Sequence, residues 1–172
     1  VGIDSDPAKI AHAVERGLPC RAEAAFDHLA AHPGEYDLII PEQELNHLTI
    51  DETIEFLKLC YTALKPGGQV LVYAINGTNP IVAPEHISHN IDHFYNGTDY
   101  SLKQLLQLGG FERTEPFACK LYVFWDRPLN YVGWAITNTL ELVMRGLFRL
   151  YKNPVRIMSK RIAAVAFRPE SS

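Results

Sequence analysis

Cysteine is scarce in this chain: Cys20, Cys60 and Cys119 are the three among 172 residues, far apart and without a CxxC pair. That excludes a disulfide scaffold and a cysteine-rich zinc site, and it fits a reducing, cytoplasmic setting. A basic excess is also missing, since the net charge is −4 with a pI near 6.0. No nucleic-acid partner held by bulk electrostatics is expected. Long apolar runs are absent from the stretch that is richest in apolar residues, 130–151. The longest charge-free run there, Pro128 to Leu140, has 13 residues, short of the roughly 20 that a spanning helix needs. Internal repeats and low-complexity segments are absent too.

A core is affordable. Hydrophobic residues are 47% and charged residues 21% of the chain, the balance of a single globular domain. The charge is unevenly spread. Residues 1–119 hold 7 Lys/Arg against 17 Asp/Glu, whereas residues 120–172 hold 9 against 3.

Val1-Gly2-Ile3-Asp4 reads as the end of a buried strand that carries a carboxylate to its tip. Ser5-Asp6-Pro7 then starts a helix, with a short polar cap and proline in the first turn, and Gly17 closes it. A short strand is expected near Pro19 to Ala22. Tyr36-Asp37-Leu38-Ile39-Ile40, apolar but for Asp37, reads as a strand buried on both faces of a parallel sheet. Thr49-x-x-Glu52 is a capping box, and Ile50, Ile54, Leu57, Tyr61 and Leu64 recur at helical spacing behind it. Pro66-Gly67-Gly68 is expected to end that helix, with the next strand at 70–74.

Residues 76–84 read as loop and 85–93 as ambiguous. Leu102, Leu105 and Leu106 mark a helix stopped by Gly109-Gly110. Extended structure is expected within 111–124, a helix over 130–151 and a last strand over Arg161 to Phe167. The alternation specifies an α/β sandwich around a mostly parallel sheet, one domain over 1–172 with a helical insertion at 128–158.

A carboxylate at the tip of a strand, ahead of a proline-started helix, can accept both vicinal hydroxyls of a nucleoside ribose. Helix capping is the plainer role for Asp4. The order of the surrounding pieces sharpens the choice. Val-Gly-Ile-Asp-Ser (1–5), Ala-Glu-Ala (22–24), Tyr-Asp-Leu-Ile-Ile (36–40) and Leu-Asn-His-Leu (45–48) are followed by Leu-Lys-Pro-Gly-Gly (64–68), His93 and Gly-Gly-Phe-Glu (109–112). In that order and spacing, over roughly two-thirds of the chain, they resemble the class I S-adenosylmethionine-dependent methyltransferases from their second strand onward.

The resemblance implies a Rossmann-like methyltransferase sandwich with an antiparallel last strand, and S-adenosylmethionine as cofactor. It implies ribose binding by Asp4 with Ser5 in the adenine-side loop. Glu23, where the family has Asp, would accept the adenine amino group, and Ala24 would offer its N–H. Pro41 and Glu42 would lie beside the methionine half. The implied reaction is methyl transfer to a small-molecule acceptor, most readily an oxygen.

The family's glycine-rich turn after its first strand is not found in the chain. That strand belongs between the strands ending at Asp4 and Ile40, so a slot or a collapse is expected there. The chain is accordingly expected to be part of a longer protein and, alone, to bind the cofactor poorly and turn nothing over. Two other readings stand beside this one. One is a methyltransferase-like module that binds a partner or a membrane surface without chemistry. The other is a nicotinamide-dependent reductase, disfavoured by Leu-Lys-Pro-Gly-Gly and the lack of Tyr-x-x-x-Lys.

An alcohol acceptor benefits from a base of near-neutral pKa. His93 is the first candidate, at the spacing where similar family members carry His. His47 is the second, beside Asn46, which replaces the family's usual Glu. His86, His89 and His93 would share a helix face, but with Asp92 expected to point elsewhere and no reinforcing ligand, no metal is assigned. In the helix 130–151, Val132, Ile136, Leu140, Val143, Leu147 and Leu150 form one stripe. That stripe is expected to pack on protein, as a lid or dimer contact; the alternative is a peripheral contact with anionic lipid at the inner membrane surface.

Overall fold

In the computed structural model, residues 1–41, 45–120 and 127–170 are described. The elements run β1 (Gly2–Asp4), α1 (Pro7–Glu15), β2 (Cys20–Ala22), α2 (Ala25–Ala31), β3 (Tyr36–Ile39), α3 (Ile50–Ala63), β4 (Leu64–Ile75), α4 (Ala83–His89), α5 (Asp99–Leu108), β5 (Arg113–Cys119), α6 (Leu129–Leu150) and β6 (Arg161–Phe167). The local signals act as physical chemistry requires. Asp6 caps α1 by accepting from Ala8 N, with Pro7 in the first turn. Thr49 and Glu52 close a reciprocal capping box on α3. Arg168 reaches from beyond β6 to the carbonyls of Tyr61, Thr62 and Leu64, satisfying the acceptors that the end of α3 leaves open.

The strands form two sheets, β1-β2 and β3-β4-β6-β5. β1 with β2 and β3 with β4 are parallel, whereas β6 runs antiparallel to both β4 and β5. This is the expected sheet with its antiparallel last strand. β1 and β3 are not paired. Both line a cavity of about 810 Å³, so the slot between them is open and not collapsed. The expected burial of the apolar β3 run is therefore not met on this side: Leu38 and the following Ile40 are each 50% exposed.

Two further expectations need correction. Lys65-Pro66-Gly67-Gly68 does not precede the strand but lies within β4. The register slips between Tyr36↔Leu64 and Leu38↔Gln69, so the segment is looped out of an otherwise continuous ladder. Gly67 takes a φ of 78°, and a Cβ on Gly68 would stand 2.9 Å from Lys65 O and 3.0 Å from Tyr36 O. The helix Ala83–His89 takes in the last two residues of the expected loop 76–84 and the first half of the ambiguous stretch 85–93, and a loop follows to Gly97. The part of the expected extended stretch over 121–124 lies outside the described residues.

The core lies where α3 and α5 meet the larger sheet. Phe56, Leu57, Cys60, Leu102, Leu106 and Phe111 pack with Val70, Val72, Ile162 and Ala164. Burial pushes the Cys60 thiol up to about 12, so it behaves as a small apolar side chain. Asn76, fully buried just past β4, ties the far end of the insertion to the sheet. Its Nδ2 donates to Ile157 O at 2.9 Å and Ser159 O at 3.0 Å, and its Oδ1 accepts from Thr78 N at 3.0 Å.

Candidate functional site

The cavity between β1 and β3 has Asp4, Ser5 and Ala24 on one side, and Ile40, Pro41 and His47 on the other. Its volume is in the range of small-molecule sites. It opens where β1 and β3 end, the edge at which parallel sheets bind ligands. Asp4 is held by its own turn: Oδ1 accepts from Asp6 N at 2.9 Å, and Oδ2 faces Lys9 Nζ at 3.4 Å. The backbone hydrogen bond, aided by Lys9 and opposed by partial burial, keeps its carboxyl below the usual range. Asp4 is thus an ionised acceptor at neutral pH. It also remains accessible, with 38% of its side chain exposed.

Glu23 stands elsewhere. It is not part of the cavity lining, and its Oε2 accepts from Nδ1 of the buried His28 at 2.9 Å. His28 Nε2 in turn meets Tyr36 Oη at 2.5 Å, and the His28 ring stacks on His32 with centroids 4.2 Å apart. Carboxylate, imidazole and phenol form a chain that fixes α2 against β3. One Glu23 oxygen is therefore already engaged, although the neighbouring Ala24 does line the cavity. Glu42 lies outside the described residues.

Across the cavity, Phe94 N donates to Asn46 O at 2.9 Å, which brings the loop after α4 against the segment before α3. As a result His47 Nδ1 lies 3.0 Å from Asp92 Oδ2, and the rings of His47 and His93 meet edge-on at 5.0 Å. A carboxylate can only accept, so His47 carries its proton on Nδ1 and presents a basic Nε2. Asp92 does not point elsewhere, as the sequence reading had it; it orients His47. The sequence offers no sign of this, because the partners are 45 residues apart.

His93 is placed behind His47 and outside the cavity lining. Its Nδ1 donates to His86 O at 2.7 Å, and its ring stacks on His86 at 4.3 Å. Burial lowers the His86 pKa, partly countered by the Asn96 side chain that its Nδ1 meets at 2.7 Å. His89 turns to Glu85 at 3.2 Å, so the three histidines do not converge. The grouping that does converge is His47, Asp92 and His93, whose ligand atoms lie within 4.8 Å of one another.

No protein-family model matches the chain. It is 24% identical over 156 residues to a ubiquinone biosynthesis O-methyltransferase of Escherichia coli, covering 87% of this chain and 55% of that protein. A protein of the same description from Sodalis glossinidius is 31% identical over 81 residues, covering 44% of this chain and 32% of its own length. The chain thus matches about a third to a half of these curated relatives. Among solved structures, an S-adenosylmethionine-dependent methyltransferase from Archaeoglobus fulgidus superposes with TM-score 0.66 at 17% identity, over 96% of this chain and 74% of that one. Phosphoethanolamine N-methyltransferase 2 of Haemonchus contortus, solved with S-adenosyl-L-methionine, gives 0.61 at 16% identity over 98% and 43%. The chain has the class I S-adenosylmethionine-dependent methyltransferase fold. The methyltransferase reading, not the reductase one, is what these likenesses support.

Proposed function

We propose that this chain is the catalytic part of an S-adenosylmethionine-dependent methyltransferase that methylates an oxygen of a small-molecule acceptor. The observation that carries the proposal is the ionised Asp4 at the tip of β1, across a cavity from His47 and its Asp92 partner. The donor set fits the cofactor. Asp4 offers two acceptor oxygens to a ribose diol, Ser5 a hydroxyl and Ala24 a backbone N–H, with Pro41 and Glu42 assigned to the methionine side. S-adenosylmethionine, when bound, supplies a methyl group on a positively charged sulfur. The protein's own task is then to align the acceptor and take its proton. His47 Nε2 is the assigned proton acceptor, Asp92 holds the Nδ1 proton in place, and His93 backs the ring.

The open edges of β1 and β3 are assigned to an additional extended segment that completes the sheet and the cofactor wall. The outer face of α6 is read as a contact surface for a membrane or a second copy. A cytoplasmic setting is assigned on the scarcity and wide spacing of the three cysteines.

Asp4→Ala tests the cofactor assignment in the full-length protein. Removing two charge-assisted bonds of about 1.5–3 kcal/mol each is expected to weaken S-adenosylmethionine binding by about 10²–10⁴-fold. The melting temperature should change little, because Asp4 is partly exposed. Unaltered affinity by calorimetry would remove Asp4 from the site.

A further inference from the structure

Helix α6 is amphipathic the wrong way round for a helix packed on its own domain. The side opposite its aliphatic stripe is the less exposed one, and it carries Asn138, Glu141 and Arg145 together with Met144 and Phe148. Glu141 is 8% exposed and pairs with Arg145 at 3.6 Å, and Asn138 accepts from Lys120 at 3.1 Å. Its aliphatic stripe faces outward: Val132, Ile136, Leu140, Val143, Leu147 and Leu150 are between 45% and 79% exposed. Of the two protein contacts expected for this stripe, lid or dimer, the lid packed on its own domain is not found among the described residues. A continuous stripe of this size in water marks an interaction surface.

We propose that this stripe docks on an anionic lipid bilayer, with α6 lying in the interfacial plane. This names the partner for the contact surface read above and rests on that reading. Charge selects lipid over a second copy. From Arg145 through the end of α6 to Arg161 the chain carries six Lys/Arg and no Asp/Glu, although it is otherwise acidic, so a second copy of the same stretch offers these cations no carboxylate. An anionic surface complements them. The helix ends on Tyr151, 85% exposed, and on Lys152, which leaves the helix with φ 58°. An aromatic ring and a long cation there suit the headgroup level. No helix among the described residues is long and apolar enough to cross a membrane, so α6 lies on the surface and does not span it.

The placement gives the contact a use. α6 is inserted between the end of β5 and the start of β6, at the sheet edge where β4 also ends. Asn76 and Thr78 bind the returning carbonyls of Ile157 and Ser159 there. Docking through α6 brings that edge to the membrane, where an acceptor carried in the lipid phase would meet it.

The test is flotation of the full-length protein with vesicles of phosphatidylcholine alone or with an equal part of phosphatidylglycerol, together with sedimentation velocity. Binding is expected to the anionic vesicles and to fall with added salt. It should weaken about fivefold for each of Arg149→Gln and Lys152→Gln. The double variant Leu140→Glu/Leu147→Glu should lose binding while keeping the wild-type melting temperature. Equal flotation of this variant overturns the proposal. So does a wild-type dimer that the variant converts to monomer without vesicle binding, which would leave the contact reading intact with a second copy as occupant. A monomeric wild type that binds neither vesicle overturns both.

Discussion

Turnover by the full-length protein is expected to fall about 10²–10⁴-fold in His47→Ala, with S-adenosylmethionine affinity unchanged. The expectation follows from geometry. Two imidazoles line the cavity, His28 and His47. Both ring nitrogens of His28 are engaged, by Glu23 and Tyr36, whereas His47 commits only Nδ1, to Asp92 at 3.0 Å, which leaves Nε2 to receive an acceptor proton. Asp92→Asn should give a smaller loss in kcat with little change in KM, since the amide can hold the ring but no longer dictates its tautomer. His93→Ala should act more weakly than either, through the stacking and edge contacts it makes with His86 and His47. Steady-state kinetics on a hydroxylated acceptor decides among them. Full activity in His47→Ala would return the base to His93 or to water, and a loss confined to acceptor KM would make His47 a positioning residue.

Asn76→Ala is expected to destabilise the fold by about 3 kcal/mol, because at least two buried polar groups lose their partner at about 1–3 kcal/mol each. Ser159 O loses the Asn76 amide, and Thr78 N loses the Asn76 side-chain carbonyl. Ile157 O is spared, since Thr78 Oγ1 also donates to it at 3.0 Å. In a domain of this size the corresponding drop in melting temperature is about 6–12 °C. Denaturant unfolding measures it, and a change below about 1 kcal/mol would mean that the loop after β4 relaxes to satisfy those groups itself. Leu57→Ala, at a fully buried position in α3, provides the comparison, with the usual cost of about 2–5 kcal/mol.

What the sequence made legible was what local physics decides. The Thr49/Glu52 box fixed the start of α3, the uncharged apolar run Ile162 to Phe167 marked β6, and the tip position of Asp4 followed from one strand and one proline. α4 escaped because its start is only half marked: Pro84 and Glu85 stand in its first turn, but Val82 makes no side-chain cap. The place of Lys65 to Gly68 within β4 depends on pairing with β3, which a helix-ending Pro-Gly-Gly cannot reveal. Long-range partners were equally hidden. Asp92 next to His93 looks solvated until Phe94 is bonded to Asn46, and Glu23 looks free until α2 places His28 beside it. In α6 the periodicity located the stripe, but period alone says nothing about which side meets the body.

The division of the sheet has an energetic consequence. β1, β2 and α1 contribute no fully buried side chain, so this layer adds little to the cooperative core built on α3, α5 and β4. Whatever fills the cavity touches β1 on one side and β3 on the other, and so it bridges two units of unequal stability. By mass action such a ligand stabilises the weaker unit by RT ln(1 + [L]/Kd), about 2.7 kcal/mol at a hundredfold excess over Kd. Occupancy of the site and the order of residues 1–22 are thereby linked: the ligand acts as mortar for the layer that binds it, and the empty protein carries that layer as its most easily opened part.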